Sequence, residues 1–77
     1  MIATHTIQDI VIDQLTIQLI IDGRPIKVPL EIVSKKLLSA NELQRNLYKI
    51  SPSGYGIHWP LIDEDLSVEA LIKVADQ

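Results

Sequence analysis

The sequence predicts an α+β domain: a small antiparallel sheet, made of N-terminal strands with an Asp-Gly hairpin and of later strands, with two short helices. Three observations predict it. Apolar residues alternate with polar ones through the first third of the chain, two helix starts with good capping residues follow, and turn residues separate the runs. The resulting order of strands, helix, strands and helix fits an antiparallel sheet with helices packed on one side. At 77 residues the chain has room for one domain, 1–77, and one core.

Residues 7 to 30 carry the first strands. Ile10 and Ile12 alternate with Asp9, Val11 and Asp13, and Leu15, Ile17, Leu19 and Ile21 alternate with Thr16 and Gln18, the period of a half-buried strand. Asp22-Gly23 then lies between two apolar runs, and such a pair favours a two-residue hairpin because both central residues need positive φ. The returning strand holds Ile26 and Val28 and extends toward Leu30. Its Pro25 and Pro29 cannot donate ladder hydrogen bonds, which predicts an edge strand.

The stretch from Pro29 to Leu38 shows no clean period and reads as an irregular connection. Ser39 followed three residues later by Glu42 reads as a capping box, with Leu38 and Leu43 in the hydrophobic staple positions. The helix it starts is short and amphipathic, with Leu43 and Leu47 on its inner face and Asn41, Gln44 and Arg45 pointing outward.

Tyr48-Lys49-Ile50 extends as a strand, Ser51-Pro52-Ser53-Gly54 forms a loop, and Tyr55 to Pro60 returns as a second strand that carries much of the aromatic content. Pro60 ends regular pairing, and Asp63-Glu64-Asp65 forms a turn leading to Ser67. That serine is a good N-cap for a last helix through about Ala75, stapled by Leu66 and Leu71 and favoured by Asp65 and Glu69 near its positive end.

Composition excludes several functions. A net charge of −3 with only Lys35-Lys36 as a basic doublet argues against direct nucleic-acid binding, which draws its affinity from clustered cations. No apolar run approaches the roughly 18 residues of a membrane span, and Met1 to Thr6 has no basic stretch ahead of an apolar run, so no membrane or secretory role is expected. The absence of cysteine fits a reducing compartment, and a cytoplasmic location is expected. Hydrophobic residues make up 47% of so short a chain, which points to exposed apolar area and hence to a homo-oligomer or a dedicated partner. A dense core rich in isoleucine and free of phenylalanine accounts for the same content equally well.

The run Gly56-Ile57-His58-Trp59-Pro60-Leu61-Ile62-Asp63-Glu64-Asp65-Leu66-Ser67-Val68 resembles a bacterial family, domain of unknown function twenty-four forty-two. The resemblance extends to Asp22-Gly23 with Val28-Pro29-Leu30, and to Leu38-Ser39-Ala40 with Glu42 and Arg45, and so covers most of residues 7 to 72. His-Trp-Pro followed by Asp-x-Asp-Leu-Ser is its specific part. The loop Ser51-Pro52-Ser53 ahead of Gly54 is wider than the family pattern. The resemblance implies no established activity. It implies a short bacterial protein, in some relatives placed ahead of a helix-turn-helix domain and often encoded beside another small protein, as in a toxin and antitoxin pair. With no DNA-binding extension expected after Gln77, such a member would act by protein contact.

Function is expected in the segment from His58 to Asp65. His58 is by type a general base or metal ligand, but a metal site needs three or four converging ligands and only His5, Asp63 and Asp65 are available. Alternation puts His58 and Trp59 on opposite strand faces, and His58 is read as tying the strand to the acidic turn. Trp59 reads as a core or interface anchor, with Pro60 fixing the exit of the chain. Asp63 and Asp65 are turn and helix-start residues, or with Glu64 an acidic patch that attracts a basic partner. Arg45 could close an ion pair with one of these acids. No nucleophile stands in a recognisable setting, and no phosphate loop is present.

The expectation is therefore a non-catalytic protein–protein interaction module, an antitoxin-like or accessory member of a two-gene system, which contacts another small bacterial protein of basic character through His58, Trp59, Pro60, Asp63, Glu64, Asp65 and Arg45. No cofactor or metal is expected. The alternative is a small metal- or ligand-binding protein or enzyme using the His58 to Asp65 segment.

Overall fold

The computed structural model describes residues 4–77. The reading of Met1 to Ala3 as free of a targeting signal lies outside the described residues. Three N-terminal strands, β1 (Ile7–Ile12), β2 (Thr16–Ile21) and β3 (Arg24–Pro29), form an antiparallel sheet in that order. Asp13 makes the first turn: its carboxylate accepts from the amides of Leu15 and Thr16 and from the Thr16 hydroxyl. The second turn is Asp22-Gly23, with φ of 53° and 81° as the two-residue hairpin requires. β3 pairs only with β2, so its prolines do sit at an edge.

One irregularity in β1 changes which residues face inward. The pairing steps from Gln8↔Ile20 to Val11↔Gln18, so β1 carries an extra residue, and Asp9 takes φ 54° at this bulge. A bulge reverses the parity of the strand. Ile7 before it therefore packs on the core together with Ile10 and Ile12 after it.

The connection after β3 is more regular than its sequence suggests. It holds two short helices, α1 (Leu30–Val33) and α2 (Lys35–Ser39), followed by α3 (Glu42–Asn46). Elements of four or five residues are too short to display a helical period, which is why none was visible. Buried Ser34 caps α2 by accepting from the Leu37 amide. The capping box expected at Ser39 and Glu42 is instead made by Asn41 and Gln44, because Ser39 still belongs to α2 and Ala40 is extended.

The second sheet is β4 (Lys49–Ile50), β5 (Gly56–Trp59) and β6 (Glu64–Ser67), again antiparallel and in sequence order. Residues expected as a turn, Glu64 and Asp65, are thus the start of a strand. The last helix, α4 (Val68–Ala75), begins at Ser67, whose hydroxyl accepts from the Ala70 amide as predicted. The α+β class stands, with two small sheets in place of one and four short helices in place of two. A single core joins them: Ile17, Leu19, Ile21, Ile26 and Val28 of the first sheet meet Leu30, Leu37, Val68 and Leu71 of the helices and Ile57, Trp59 and Leu66 of the second sheet. Among the described residues no helix is long and apolar enough to cross a membrane.

Candidate functional site

β5 alternates strictly, and this decides what its residues can reach. Ile57 and Trp59 point into the core, while Gly56 and His58 face outward. Trp59 has 0% exposure, its indole nitrogen donates to the Arg45 carbonyl at 2.9 Å, and its ring lies tilted against Tyr48 with centroids 6.1 Å apart. It is a core anchor, and in this fold its side chain cannot touch a partner. Contrary to the sequence expectation, Trp59 is therefore no part of a partner-binding surface.

Arg45 also departs from expectation. It pairs with no acid of the His58 to Asp65 segment; its guanidinium donates to the carbonyls of Leu37, Leu38, Asp13 and Gln14, at 3.0, 3.0, 2.7 and 3.4 Å. Leu37 and Leu38 lie in the last turn of α2, where carbonyls run short of helical donors; the Leu37 carbonyl also accepts from the Ala40 amide at 3.1 Å. Supplying them turns α3 around its axis: Gln44 and Arg45 become half-buried, and Leu43, expected inside, is 67% exposed. Arg45 is thus a structural clamp.

The acidic segment divides by role. Pro60 and Leu61 begin an exposed turn that ends at Asp63, which adopts φ 49° and whose amide donates to the Pro60 carbonyl. The Asp63 carbonyl accepts from Lys36 at 3.1 Å. Glu64 is half-buried and engaged on both oxygens, one accepting from the Ser34 hydroxyl at 2.6 Å and the other from the Asp65 amide at 2.9 Å. It is a brace between β6 and the start of α2. The carboxyl groups of Asp63 and Asp65 face solvent.

Three cross-strand neighbours line up on the outer face of the second sheet. Lys49 lies opposite His58, and His58 opposite Asp65, so one row crosses all three strands. His58 Nδ1 meets Asp65 Oδ1 at 2.8 Å, the tie between strand and acidic segment that the sequence suggested. In the next row Gly56 lies opposite Ser67, and the Ser51 amide donates to the Gly56 carbonyl. With no side chain at Gly56, the face is hollowed there into a cleft of about 300 Å³ whose lining includes Lys49, His58, Asp65, Ser51 and Ser67, with exposed Tyr55 at its margin. Sequence reasoning missed Lys49, Ser51, Tyr55 and Gly56. Only the strand register brings them beside His58.

A second histidine sits in a different setting. His5 Nδ1 meets Asp22 at 2.7 Å and Nε2 meets Glu69 at 3.2 Å, while its backbone amide donates to Ser53. Three segments converge on it, the hairpin, α4 and the loop at Ser53. The hydrogen bonds to Asp22 and then Glu69 raise its pKa above the usual value, and the Thr6 amide together with His5 holds the Asp22 carboxyl below its own. His5 does not approach Asp63 or Asp65 as a ligand set would demand; among the described residues no three His, Cys, Asp or Glu side chains are grouped to hold a metal ion.

Fold and site thus define a small α+β domain with two three-stranded sheets and an outward acidic segment. The profile of the family described as "Protein of unknown function (DUF2442)" matches residues 10–76, and the chain belongs to that family. No curated protein and no solved structure matches the chain.

Proposed function

We propose that this chain is a non-catalytic protein–protein interaction module, the antitoxin-like or accessory member of a small bacterial two-gene system, acting in the cytoplasm. The observation that carries the reading is the outward presentation of Pro60, Leu61, Asp63 and Asp65. Leu61 is 49% exposed in the turn that ends at Asp63, and the Asp65 side chain is 76% exposed. An exposed leucine in the same short segment as two exposed acids suits a partner that offers a basic side chain next to an apolar one, the charges raising association rate and selectivity. The lack of cysteine supports the reducing location. Of the surface expected from the sequence, His58, Pro60, Asp63 and Asp65 remain on it; Trp59, Glu64 and Arg45 are occupied within the fold.

Co-expression with the small protein encoded beside it, followed by size-exclusion chromatography, tests the reading. Co-elution that is lost in Asp63→Lys/Asp65→Lys is the expected result, and independent elution of both wild-type proteins overturns it.

The second reading, a ligand-binding protein or enzyme, is favoured by one observation, the His58–Asp65 hydrogen bond at the rim of the cleft. Aspartate-oriented histidine is a common general base. Elemental analysis of chelator-free protein and heteronuclear NMR titration with metal ions discriminate it, because a stoichiometric metal at His58 would replace the first reading.

A further inference from the structure

The row on the outer face of the second sheet runs from a cation at Lys49, through His58, to an anion at Asp65, one residue per strand. A two-fold axis parallel to β5 in an interface plane above the sheet exchanges the positions of β4 and β6. It would set Lys49 of one copy against Asp65 of the other, twice, and His58 against His58. An isologous interface needs a patch complementary to itself, and a row with a lysine at one end, an aspartate at the other and a histidine on the axis meets that requirement. The spacing also fits. Lys49 and Asp65 are two strand separations apart, roughly 10 Å, and stacked sheets lie about 10 Å apart, a gap that a lysine and an aspartate side chain span together.

We propose that this face is a homodimer interface on which a second copy of the chain docks through reciprocal Lys49–Asp65 pairs. The proposal rests on the reading of the chain as an interaction module and names the occupant of this part of its surface. His58 binds one Asp65 oxygen, Oδ1, and leaves Oδ2 for the incoming lysine. The hollow over Gly56 lets the two sheets approach without a side chain between them, and exposed Tyr55 supplies apolar area at the margin.

Sedimentation equilibrium of the purified full chain tests this with a charge exchange. Lys49→Glu alone brings carboxylates together, Asp65→Lys alone brings ammonium groups together, and each is expected to weaken self-association about tenfold or more. An equimolar mixture of the two variants restores both pairs, so it is expected to associate more tightly than either variant alone. Circular dichroism checks that both remain folded, and salt gives a measurement that does not depend on the second variant. Rising salt should weaken the wild-type dimer and strengthen association of Lys49→Glu. A wild-type chain that stays monomeric, or a mixture no tighter than its components, overturns the proposal. If the chain is monomeric yet co-elutes with the neighbouring protein, self-association fails and the interaction-module reading stands. If neither event occurs, both fall.

Discussion

Two histidines hold an aspartate at nearly the same distance, His5 to Asp22 at 2.7 Å and His58 to Asp65 at 2.8 Å, yet they serve opposite ends. The His5 side chain is only 12% exposed and takes a second carboxylate from α4, so it joins the strand lead, the hairpin and the last helix. The His58 side chain is 40% exposed, and its aspartate is simply the residue across the strand pair. One is a junction; the other is a surface. The difference shows that a histidine–carboxylate bond says little about role until the sequence distance it spans and its exposure are known.

The largest expected effect lies behind His58, on the inner face of its strand. Trp59→Ala should cost about 3–5 kcal/mol, the usual price of emptying a buried aromatic site, and also frees the Arg45 carbonyl. Urea denaturation measures it. If the cost were under about 1 kcal/mol, Trp59 would not be the anchor that separates the buried and exposed faces of this strand.

Next comes a pair of glycines two residues apart that belong to the two regions. Gly54 adopts φ 69°, and a Cβ there would stand 1.9 Å from the His5 carbonyl oxygen. Gly54→Ala should therefore destabilise by about 2–4 kcal/mol, from the strained backbone and the clash together. A Cβ on Gly56 meets nothing closer than the Leu66 carbonyl oxygen at 3.4 Å. Gly56→Ala should stay within about 0.5 kcal/mol of wild type. Equal effects from the two substitutions in the same denaturation assay would erase the contrast between junction and face.

A smaller effect is the dependence on pH. The pKa of His5 in the fold lies above its ordinary 6.5, so its contribution is complete below about that pH and is lost as pH rises through the raised value. Asp22 behaves in the reverse sense. Its folded pKa lies below the ordinary 3.8, so its contribution is present above that pH and lost as acid titrates the lowered value. Both are in full force between the two ordinary values. The urea midpoint should fall on the alkaline side, and His5→Gln should flatten that fall.

The smallest effect belongs to Asp65→Asn. An exposed pair of this kind contributes about 0–1 kcal/mol, so thermal unfolding should barely shift. The cost would reveal itself in association. A large loss of stability would make His58–Asp65 a second junction and not a surface.

The Asp-Gly hairpin, the edge position of β3 and the Ser67 cap were legible because each depends on residues within a few positions of one another, and the α+β class and the family follow from the order of such local signals along the chain. Periodicity, paired positive φ and a serine before an apolar turn act locally, and a sequence displays local causes directly. The same chain hides what depends on distant partners. Asp9 could not announce a bulge, since the extra residue exists only relative to β2. Leu43 looked like an inner residue until Arg45 was drawn toward carbonyls of α2 and of the turn at Asp13 and Gln14.

The residues themselves therefore determined which segments extend, coil and turn, and placed the acids and the aromatic strand at one region of the chain. Tertiary structure alone decided that Trp59 is sealed, that Glu64 braces β6 to Ser34, and that Lys49, His58 and Asp65 form one row. The physical reason is that strand register and the satisfaction of orphaned carbonyls are settled between elements remote in sequence, by whichever donors and acceptors the packed core brings within reach.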